Sequence, residues 1–156
     1  MVGVFGYGRL GASFVGELVD GKLENIVQAS HAEWVRQIAI SPDGKLVALQ
    51  EDFSSGLIYV YQIDRYKEPL LKVRSHSART IGVAFTPDGT QLITGGDDLN
   101  IRFWDMRRSG ELAGTLYAGE RVRYIGFLPN HDMIAASPDG WLCVWKYQPV
   151  VEDDRQ

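Results

Sequence analysis

Short runs of apolar residues alternate with turn-forming residues along most of the chain. VRQIAI at 35–40 and IGVAF at 81–85 are rich in β-branched and aromatic residues, which is typical of β-strands. A Pro-Asp-Gly turn follows each of these two runs; its proline fixes φ and its glycine accepts a positive φ. Residues 12–20 are the one segment in which a 3.6-residue apolar period can be read. The pattern therefore predicts a structure that is mostly or wholly β.

The same pattern is repeated three times. Equivalent positions lie 41 to 45 residues apart, and they fall into three sets: His31 and His76; Pro42, Pro87 and Pro129; Tyr61, Trp104 and Trp145. Each copy has room for about four short strands, three inner and one outer. The third inner strand contains the aromatic residue Tyr61, Trp104 or Trp145. Four short strands every 40–45 residues are the pattern of a propeller blade.

The second copy carries the most specific sequence. Residues 95–105, GGDDLNIRFWD, are preceded by His76 and a Thr-Pro-Asp-Gly turn, and this combination resembles the WD-repeat β-propeller family. The resemblance covers residues 17–147. It implies an all-β fold of four-stranded antiparallel blades, of which this chain supplies about three to four, as a partial or half propeller.

The resemblance also implies a division of the chain. Residues 31–147 hold three WD-type repeats. Residues 1–30 form a partial N-terminal blade or a glycine-rich lead-in, in which residues 17–27 fit the outer strand of a blade. Residues 148–156 are a solvated tail.

A buried hydrogen-bond network is diagnostic of the family, and its members match four residues of the second copy: His76, Thr94, Asp98 and Trp104. The resemblance implies that the carboxylate accepts from the imidazole, which bonds the threonine hydroxyl, which accepts from the indole N–H. Such a chain satisfies every buried polar group and locks three strands together. The first copy has Ser55 and Tyr61 in two of these places, and the third has Ala118 or Glu120 in place of the histidine, so neither completes the network.

A histidine, an aspartate and a hydroxyl in one cluster are also the components of a hydrolase triad. Here the hydroxyl belongs to a buried strand with no nucleophile elbow and no evident oxyanion site, so we predict no catalytic residue. His31 and His76 lie in different repeats rather than around one ion, so together with His131 they predict no metal site. Cys143 is interpreted as a packing residue, and no cofactor is predicted.

The glycine-rich start supports an alternative. Gly6, Gly8 and Gly11 form G-x-G-x-x-G directly after the apolar residues 2–5, and the next residues can be read as the opening of a helix. This is the pattern of a dinucleotide-binding turn. The following strand ends without an acidic residue, and the repeats from residue 31 onward leave no source of further parallel strands. A glycine-rich strand pair is the preferred interpretation; a nucleotide-binding or enzymatic protein is the alternative.

Composition narrows the class of protein. The chain has 156 residues, 45% of them apolar, and a net charge of −4, which suit a soluble globular protein. The acidic balance argues against a general affinity for nucleic acid or anionic membrane. One cysteine excludes an intrachain disulfide framework, and the N-terminus lacks a secretory signal pattern, so a cytoplasmic setting is expected.

Candidate partner-binding residues follow from the resemblance, because the family contacts partners around the start of the innermost strand. The matching positions are Trp34, Arg36, Arg79, Ile81, Asp97, Arg121 and Arg123. Tryptophan and arginine dominate the energetics of interfaces. These residues predict a non-catalytic scaffold for protein–protein interaction, binding acidic or phosphorylated segments at the rim; the alternative is that they are ordinary solvated arginines.

The number of blades raises a further question. Rings of four to eight blades close, and three or four blades of a larger ring leave apolar faces uncovered. Three outcomes are open: a homodimer, a fragment of a longer propeller, or a half completed by a partner chain. The outer strand of the last blade is also missing, and residues 1–16 or a second chain are candidates to supply it.

Overall fold

The computed structural model describes residues 2–6, 12–20, 22–30, 35–51, 56–65 and 67–148. Within them, all regular structure is β-strand apart from two one-turn 3₁₀ helices, Ile63–Arg65 and Met106–Arg108. The predicted all-β fold is confirmed. Neither of these helices is long enough to cross a membrane.

The described strands form four antiparallel sheets, each a meander of consecutive strands. We call them the N-terminal sheet (β1–β3), blade 1 (β4–β7), blade 2 (β8–β11) and blade 3 (β12–β14). The bounds are β1 Val2–Gly6, β2 Ala12–Val19, β3 Lys22–Ser30, β4 Val35–Ile40, β5 Leu46–Glu51, β6 Leu57–Gln62, β7 Leu71–Arg74, β8 Thr80–Phe85, β9 Gln91–Gly96, β10 Asn100–Asp105, β11 Glu111–Tyr117, β12 Tyr124–Phe127, β13 Met133–Ala136 and β14 Leu142–Trp145.

The Pro-Asp-Gly segments at 42–44 and 87–89 form the turn between the first two strands of blades 1 and 2. In blade 2, the Gly89 N–H donates to Thr86 O (2.8 Å), and the Asp88 carboxylate accepts from the Thr90 N–H (3.0 Å). Gly89 and Gly44 both have φ of +70°, a conformation that glycine adopts without strain. The repeated turn sequence therefore sets the same strand register in blades 1 and 2.

Apolar side chains between neighbouring blades form the core. Ala48, Ile58 and Val60 of blade 1 pack with blade 2 residues that include Phe85 and Trp104. A second cluster joins blade 2 to blade 3 through Ile93, Ile101, Val122, Ile125, Met133 and Ala135. The innermost strands β4, β8 and β12 are neighbours in the order of the chain. Each blade is thus stabilised mainly by the blade beside it.

The N-terminal sheet corrects the interpretation of residues 17–27. Strands β2 and β3 are antiparallel, with Val19 opposite Lys22, and Asp20 lies between them with φ of +48°. Residues 17–27 are therefore not one outer strand, as the sequence suggested, but span a hairpin. The Asp20-Gly21 dipeptide is typical of a hairpin turn and is the feature of the sequence that indicates this hairpin.

The dinucleotide-binding alternative requires a helix after the glycine-rich turn. Residues 12–19 form strand β2, which pairs antiparallel with β1. Gly6 is the last residue of β1, while Gly8 and Gly11 lie outside the described residues. A strand pair in place of a strand–helix unit removes the context that a phosphate-binding turn needs.

Candidate interaction rim and its supporting network

The structure brings four polar side chains of blade 2 together. His76 Nδ1 lies 2.7 Å from Asp98 Oδ1, and His76 Nε2 lies 2.9 Å from Thr94 Oγ1. Trp104 Nε1 donates to the same Thr94 oxygen at 3.0 Å. His76 precedes β8, Thr94 is on β9, Asp98 is in the β9–β10 turn and Trp104 is on β10. The network therefore ties the three inner strands of the blade together.

The hydrogen-bond donors and acceptors around His76 define the tautomer of its imidazole ring. The indole N–H of Trp104 can only donate, so the Thr94 oxygen accepts from it and its own hydrogen is free for His76 Nε2. Nδ1 then carries the hydrogen that is donated to Asp98. Burial lowers the pKa of His76 below 6.5, despite the opposing effect of the Asp98 carboxylate. The ring is thus neutral at neutral pH.

Arg102 belongs to this network, and the sequence reasoning missed it. Its Nη1 donates to Asp98 Oδ2 at 2.7 Å and to Ser75 O at 3.2 Å, and it contacts His76 Nδ1. The available signal was its place on β10, two residues before Trp104 and so on the same face. Burial by itself raises the pKa of Asp98, but the hydrogen bonds from Arg102 and His76 outweigh it and the pKa is lowered below 3.8.

Acid should destabilise the protein through His76. Because the pKa of His76 is lower in the folded state than its unfolded value of 6.5, the unfolded chain binds the proton first. This contribution to stability is complete above pH 6.5 and is lost as pH falls below it. One such proton gives a slope of at most about 1.4 kcal/mol per pH unit. We expect the urea midpoint to fall between pH 7 and pH 5.

The urea midpoint of the variant His76→Gln should decrease much less between pH 7 and pH 5 than that of the parent chain, although the variant is less stable at pH 7. The exposed His131, at a turn with φ of +68°, provides the control, since His131→Asn keeps the backbone conformation favourable. An equal pH dependence in His76→Gln and the parent chain would contradict the assignment.

The corresponding positions of the flanking blades carry other side chains. On β9 and β10, Thr94 lies directly opposite Arg102. The equivalent pairs are Leu49 opposite Tyr59 in blade 1 and Ala135 opposite Cys143 in blade 3. Leu49 and Ala135 offer no hydroxyl to an imidazole or an indole. His31 and Ser55 of the first copy lie outside the described residues.

Backbone hydrogen bonds define the edge at which the innermost strands begin, which we call the rim. The Asp97 N–H donates to Arg79 O at 2.8 Å, and the Val122 N–H donates to Gly96 O at 3.2 Å. The segment before β8, the β9–β10 turn and the segment before β12 therefore meet at one edge. Arg79 and Arg121 are exposed there.

The other candidate rim residues differ in accessibility. Arg36 is exposed on β4. Ile81 is buried with 8% of its surface exposed, which corrects its interpretation as a rim contact. Asp97 Oδ1 and Arg123 Nε face each other across blades 2 and 3 at 3.8 Å, too far for a hydrogen bond. Trp34 lies outside the described residues.

The comparison with protein families agrees with this geometry. The family model described as "WD domain, G-beta repeat" matches residues 67–105, which contain β7 to β10 and the complete network. The described residues contain no group of three or more histidine, cysteine, aspartate or glutamate side chains placed to hold a metal ion.

Several characterised proteins are similar in sequence. The small ribosomal subunit protein RACK1 of Neurospora crassa is 23% identical over 120 residues, covering 77% of this chain and 37% of that protein. The protein groucho of Drosophila melanogaster is 31% identical over 99 residues, covering 63% of this chain and 13% of groucho. Striatin-3 of Mus musculus is 28% identical over 141 residues, covering 76% of this chain and 18% of that protein.

Solved structures show the same fold. The crystal structure of the RRP9 WD40 repeats superposes with a TM-score of 0.66 at 18% identity, covering 86% of this chain and 46% of that one. The chain spans less than half the length of each of these proteins. The predicted partial β-propeller is confirmed.

Residues 67–105 match the WD-repeat family, and the described part of the chain has the fold of WD-repeat β-propeller proteins. Proteins of this family are generally scaffolds for protein interaction and are generally not enzymes.

Proposed function

We propose that this chain is a non-catalytic scaffold that binds acidic or phosphorylated segments of other proteins at its rim. The observation that carries the proposal is the exposure of Arg36, Arg79 and Arg121 beside the starts of the innermost strands, on a chain whose net charge is −4. Arginine binds carboxylates and phosphates with two parallel hydrogen bonds, which gives both affinity and orientation.

The position of Arg79 supports a preorganised site. Its carbonyl accepts from the Asp97 N–H, and the next residue, Thr80, is fully buried. Asp97 in turn precedes Asp98, which is fixed by His76 and Arg102. Because the backbone on both sides of Arg79 is held, binding at this point orders little more than the side chain, and that lowers the entropic cost of binding.

The burial of Thr94 supports the non-catalytic part of the proposal. Its hydroxyl, the nucleophile in a triad interpretation, has no exposed surface and already contacts both Trp104 Nε1 and His76 Nε2. A substrate carbonyl has no access to an oxygen in that position, and a nucleophile must lie within reach of the group it attacks.

The rim proposal predicts a selective loss of binding to anionic peptides. Replacing both Arg79 and Arg121 by serine should weaken the binding of a fluorescent poly-glutamate or phosphoserine peptide to the full chain by about tenfold or more, since each lost charge-assisted contact costs about 1 kcal/mol or more. Fluorescence anisotropy at low and at physiological salt measures the loss. Affinity should also fall as salt rises, because exposed charges are screened.

The control for that experiment is Arg108→Ser. Arg108 is exposed in the 3₁₀ helix after β10, at the opposite edge of blade 2. An equal loss of affinity in Arg108→Ser, or no binding of either peptide by the parent chain, would refute the rim as an anion-binding surface.

Two further parts of the proposal concern its setting. A cytoplasmic location stays a prediction from the sequence. We also propose that the partial ring associates further, either with a second copy or with additional blades.

A further inference from the structure

The same tetrapeptide, serine or threonine followed by Pro-Asp-Gly, forms three turns of the structure. The copies at 41–44 and 86–89 connect β4 to β5 and β8 to β9, and the copy at 137–140 connects β13 to β14. An aspartate before a glycine is prone to cyclise, because the glycine has no side chain to shield its peptide nitrogen. Since the local sequence is shared, a difference in reactivity among the three turns must come from the fold.

Hydrogen bonds hold the aspartate in the first two turns. Asp43 Oδ1 accepts from Ser41 Oγ at 2.6 Å and from the Lys45 N–H at 3.1 Å. Asp88 Oδ1 accepts from Thr86 Oγ1 at 2.5 Å and from the N–H two residues further on at 3.0 Å. Each carboxylate is thus fixed between the hydroxyl at the start of its turn and an N–H at the end.

The third turn is one residue shorter, and its aspartate is not held. The Ser137 N–H donates to the carbonyl of Trp141, four residues on, whereas the Ser41 N–H donates to that of Leu46, five residues on. In the shorter turn the Trp141 N–H donates to Ser137 Oγ at 3.3 Å. Asp139 is exposed, and its carboxylate has no hydrogen bond or ion pair with any residue that the structure describes.

The peptide nitrogen that follows Asp139 is also bound more weakly than its counterparts. The Gly140 N–H lies 3.4 Å from Ser137 O, a long hydrogen bond, whereas the equivalent distances are 2.9 Å for Gly44 and 2.8 Å for Gly89. Gly140 is exposed as well. The carboxyl group and the nitrogen of this turn are therefore both free to approach each other.

We propose that Asp139-Gly140 is a site of spontaneous modification, at which the folded chain forms a succinimide and then isoaspartate, while Asp43-Gly44 and Asp88-Gly89 are protected by their turns. The proposal involves neither the rim nor the network around His76, so it is independent of the proposed function.

The reaction needs no reactant other than water. The Gly140 nitrogen attacks Cγ of the neutral Asp139 carboxyl group, the new C–N bond closes a five-membered ring, and the proton of the nitrogen leaves with the carboxyl hydroxyl as one water. Hydrolysis adds one water back. When it breaks the bond between the nitrogen and the former main-chain carbonyl carbon, the chain remains linked through Cγ as isoaspartate.

The held aspartates are poorer electrophiles in this reaction. The hydrogen bond from Ser41 lowers the pKa of Asp43, so the neutral acid that reacts is scarcer. Burial raises the pKa of Asp88, but the hydrogen bonds from Thr86 and Thr90 outweigh it and the pKa is lowered. Their hydrogen bonds also restrain the rotation that would bring Cγ to the glycine nitrogen.

The product changes the β13–β14 hairpin. Isoaspartate places one additional methylene in the backbone between residues 139 and 140, next to the pairing of Ala136 with Leu142 that begins the two strands. Turn geometry fixes the register of a hairpin, so a longer turn disturbs this pairing. The reaction also leaves a free main-chain carboxyl group, which an isoaspartyl methyltransferase can methylate.

The first experiment compares the turns within one molecule. The full chain is aged in its folded state at pH 7, then denatured and digested with trypsin. The Asp-Gly dipeptides fall in four separate peptides: 10–22, 37–45, 80–102 and 124–146. Isoaspartate should form in 124–146 at least about fivefold faster than in 37–45 and 80–102, a factor that one typical hydrogen bond supplies. Peptide 10–22 carries no prediction, because Gly21 lies outside the described residues.

Isoaspartate is detected as an isomer of equal mass that separates in chromatography, and by transfer of a methyl group from S-adenosylmethionine by an isoaspartyl methyltransferase. Equal rates in 37–45, 80–102 and 124–146 would overturn the proposal. Ageing in urea is the control, since it removes the turns and keeps the sequence. A preference for 124–146 that persists in urea would also overturn it, because the cause would then be local sequence.

Two variants assign the reaction to its residues. Asp139→Glu should abolish the isomer in 124–146, because glutamate would have to close a less favourable six-membered ring; an isomer that remains would place the modification elsewhere in that peptide. Ser41→Ala removes the hydroxyl that holds Asp43 and should accelerate the reaction in 37–45 at least about twofold. Peptide 80–102 should stay slow in this variant, which shows that it is folded. No acceleration in 37–45 would contradict the protective role of the turn.

Discussion

Replacing Asp98 by alanine should lower the free energy of unfolding by about 3 kcal/mol, a large fraction of the stability of a typical domain. The Asp98 side chain is 11% exposed and receives hydrogen bonds from His76 Nδ1 and Arg102 Nη1. Removing it leaves the imidazole N–H without its acceptor and leaves Arg102 Nη1 with only Ser75 O, in a region with little access to water. Urea unfolding at pH 7 measures the loss.

The matched control for Asp98→Ala is Asp139→Ala. Asp139 occupies the equivalent turn of blade 3 and is exposed, so its loss should cost no more than about 0.5 kcal/mol. Asp98→Asn, which retains an acceptor for His76 but loses the charge beside Arg102, should be intermediate. If Asp98→Ala and Asp139→Ala were equally mild, the network would not be the main polar support of blade 2.

The sequence was sufficient to predict the strands and turns of the blades because their signals are local. The Pro-Asp-Gly turns at 42–44 and 87–89 fix strand register without reference to the rest of the molecule. The pairing of His76 with Asp98 was accessible through the family resemblance. Arg102 was not, because its role depends on the path of a long side chain back across β10 to the turn.

The burial of Ile81 shows a second limit of sequence reasoning. A strand with one exposed face alternates apolar and polar residues, and the rim interpretation assumed such an exposure. Strand β8 instead packs between β4 and β12, so that Thr80, Ile81, Gly82 and Val83 are all buried in succession. A strand that is covered on both faces has a continuous run of apolar residues. Whether the rim end of such a strand is buried depends on the neighbouring blades.

The sequence did not predict the contact between blades 2 and 3, because this contact depends on Gly95, a residue that has no side chain. Gly95 lies on β9 directly beneath Val122, which has no exposed surface. An added Cβ at Gly95 would lie 2.3 Å from Val122 Cγ1 and 2.8 Å from its Cβ. The glycine therefore allows the segment before β12 to reach Gly96, to whose carbonyl the Val122 N–H donates.

Gly95→Ala should consequently destabilise the protein by about 3 kcal/mol, at the upper end of the range for overpacking a core. Val122 cannot move away without breaking its hydrogen bond to Gly96 O and displacing Ile125 from the core that joins the two blades. Urea unfolding measures the stability. Increased binding of ANS would report that blade 3 has separated from blade 2, which exposes Ile93 and Ile101.

A double variant tests whether the loss arises at this contact. Val122→Ala removes the methyl group at 2.3 Å but keeps the Cβ at 2.8 Å, so Gly95→Ala combined with Val122→Ala should be more stable than the sum of the two single effects by about 1 kcal/mol. Gly114→Ala is the control for glycine replacement in a strand: Gly114 lies on β11, and nothing lies within 4 Å of an added Cβ. If Gly95→Ala were as mild as Gly114→Ala, or if the effects of Gly95→Ala and Val122→Ala were simply additive, the close approach at Gly95 would not be what seats blade 3 on blade 2.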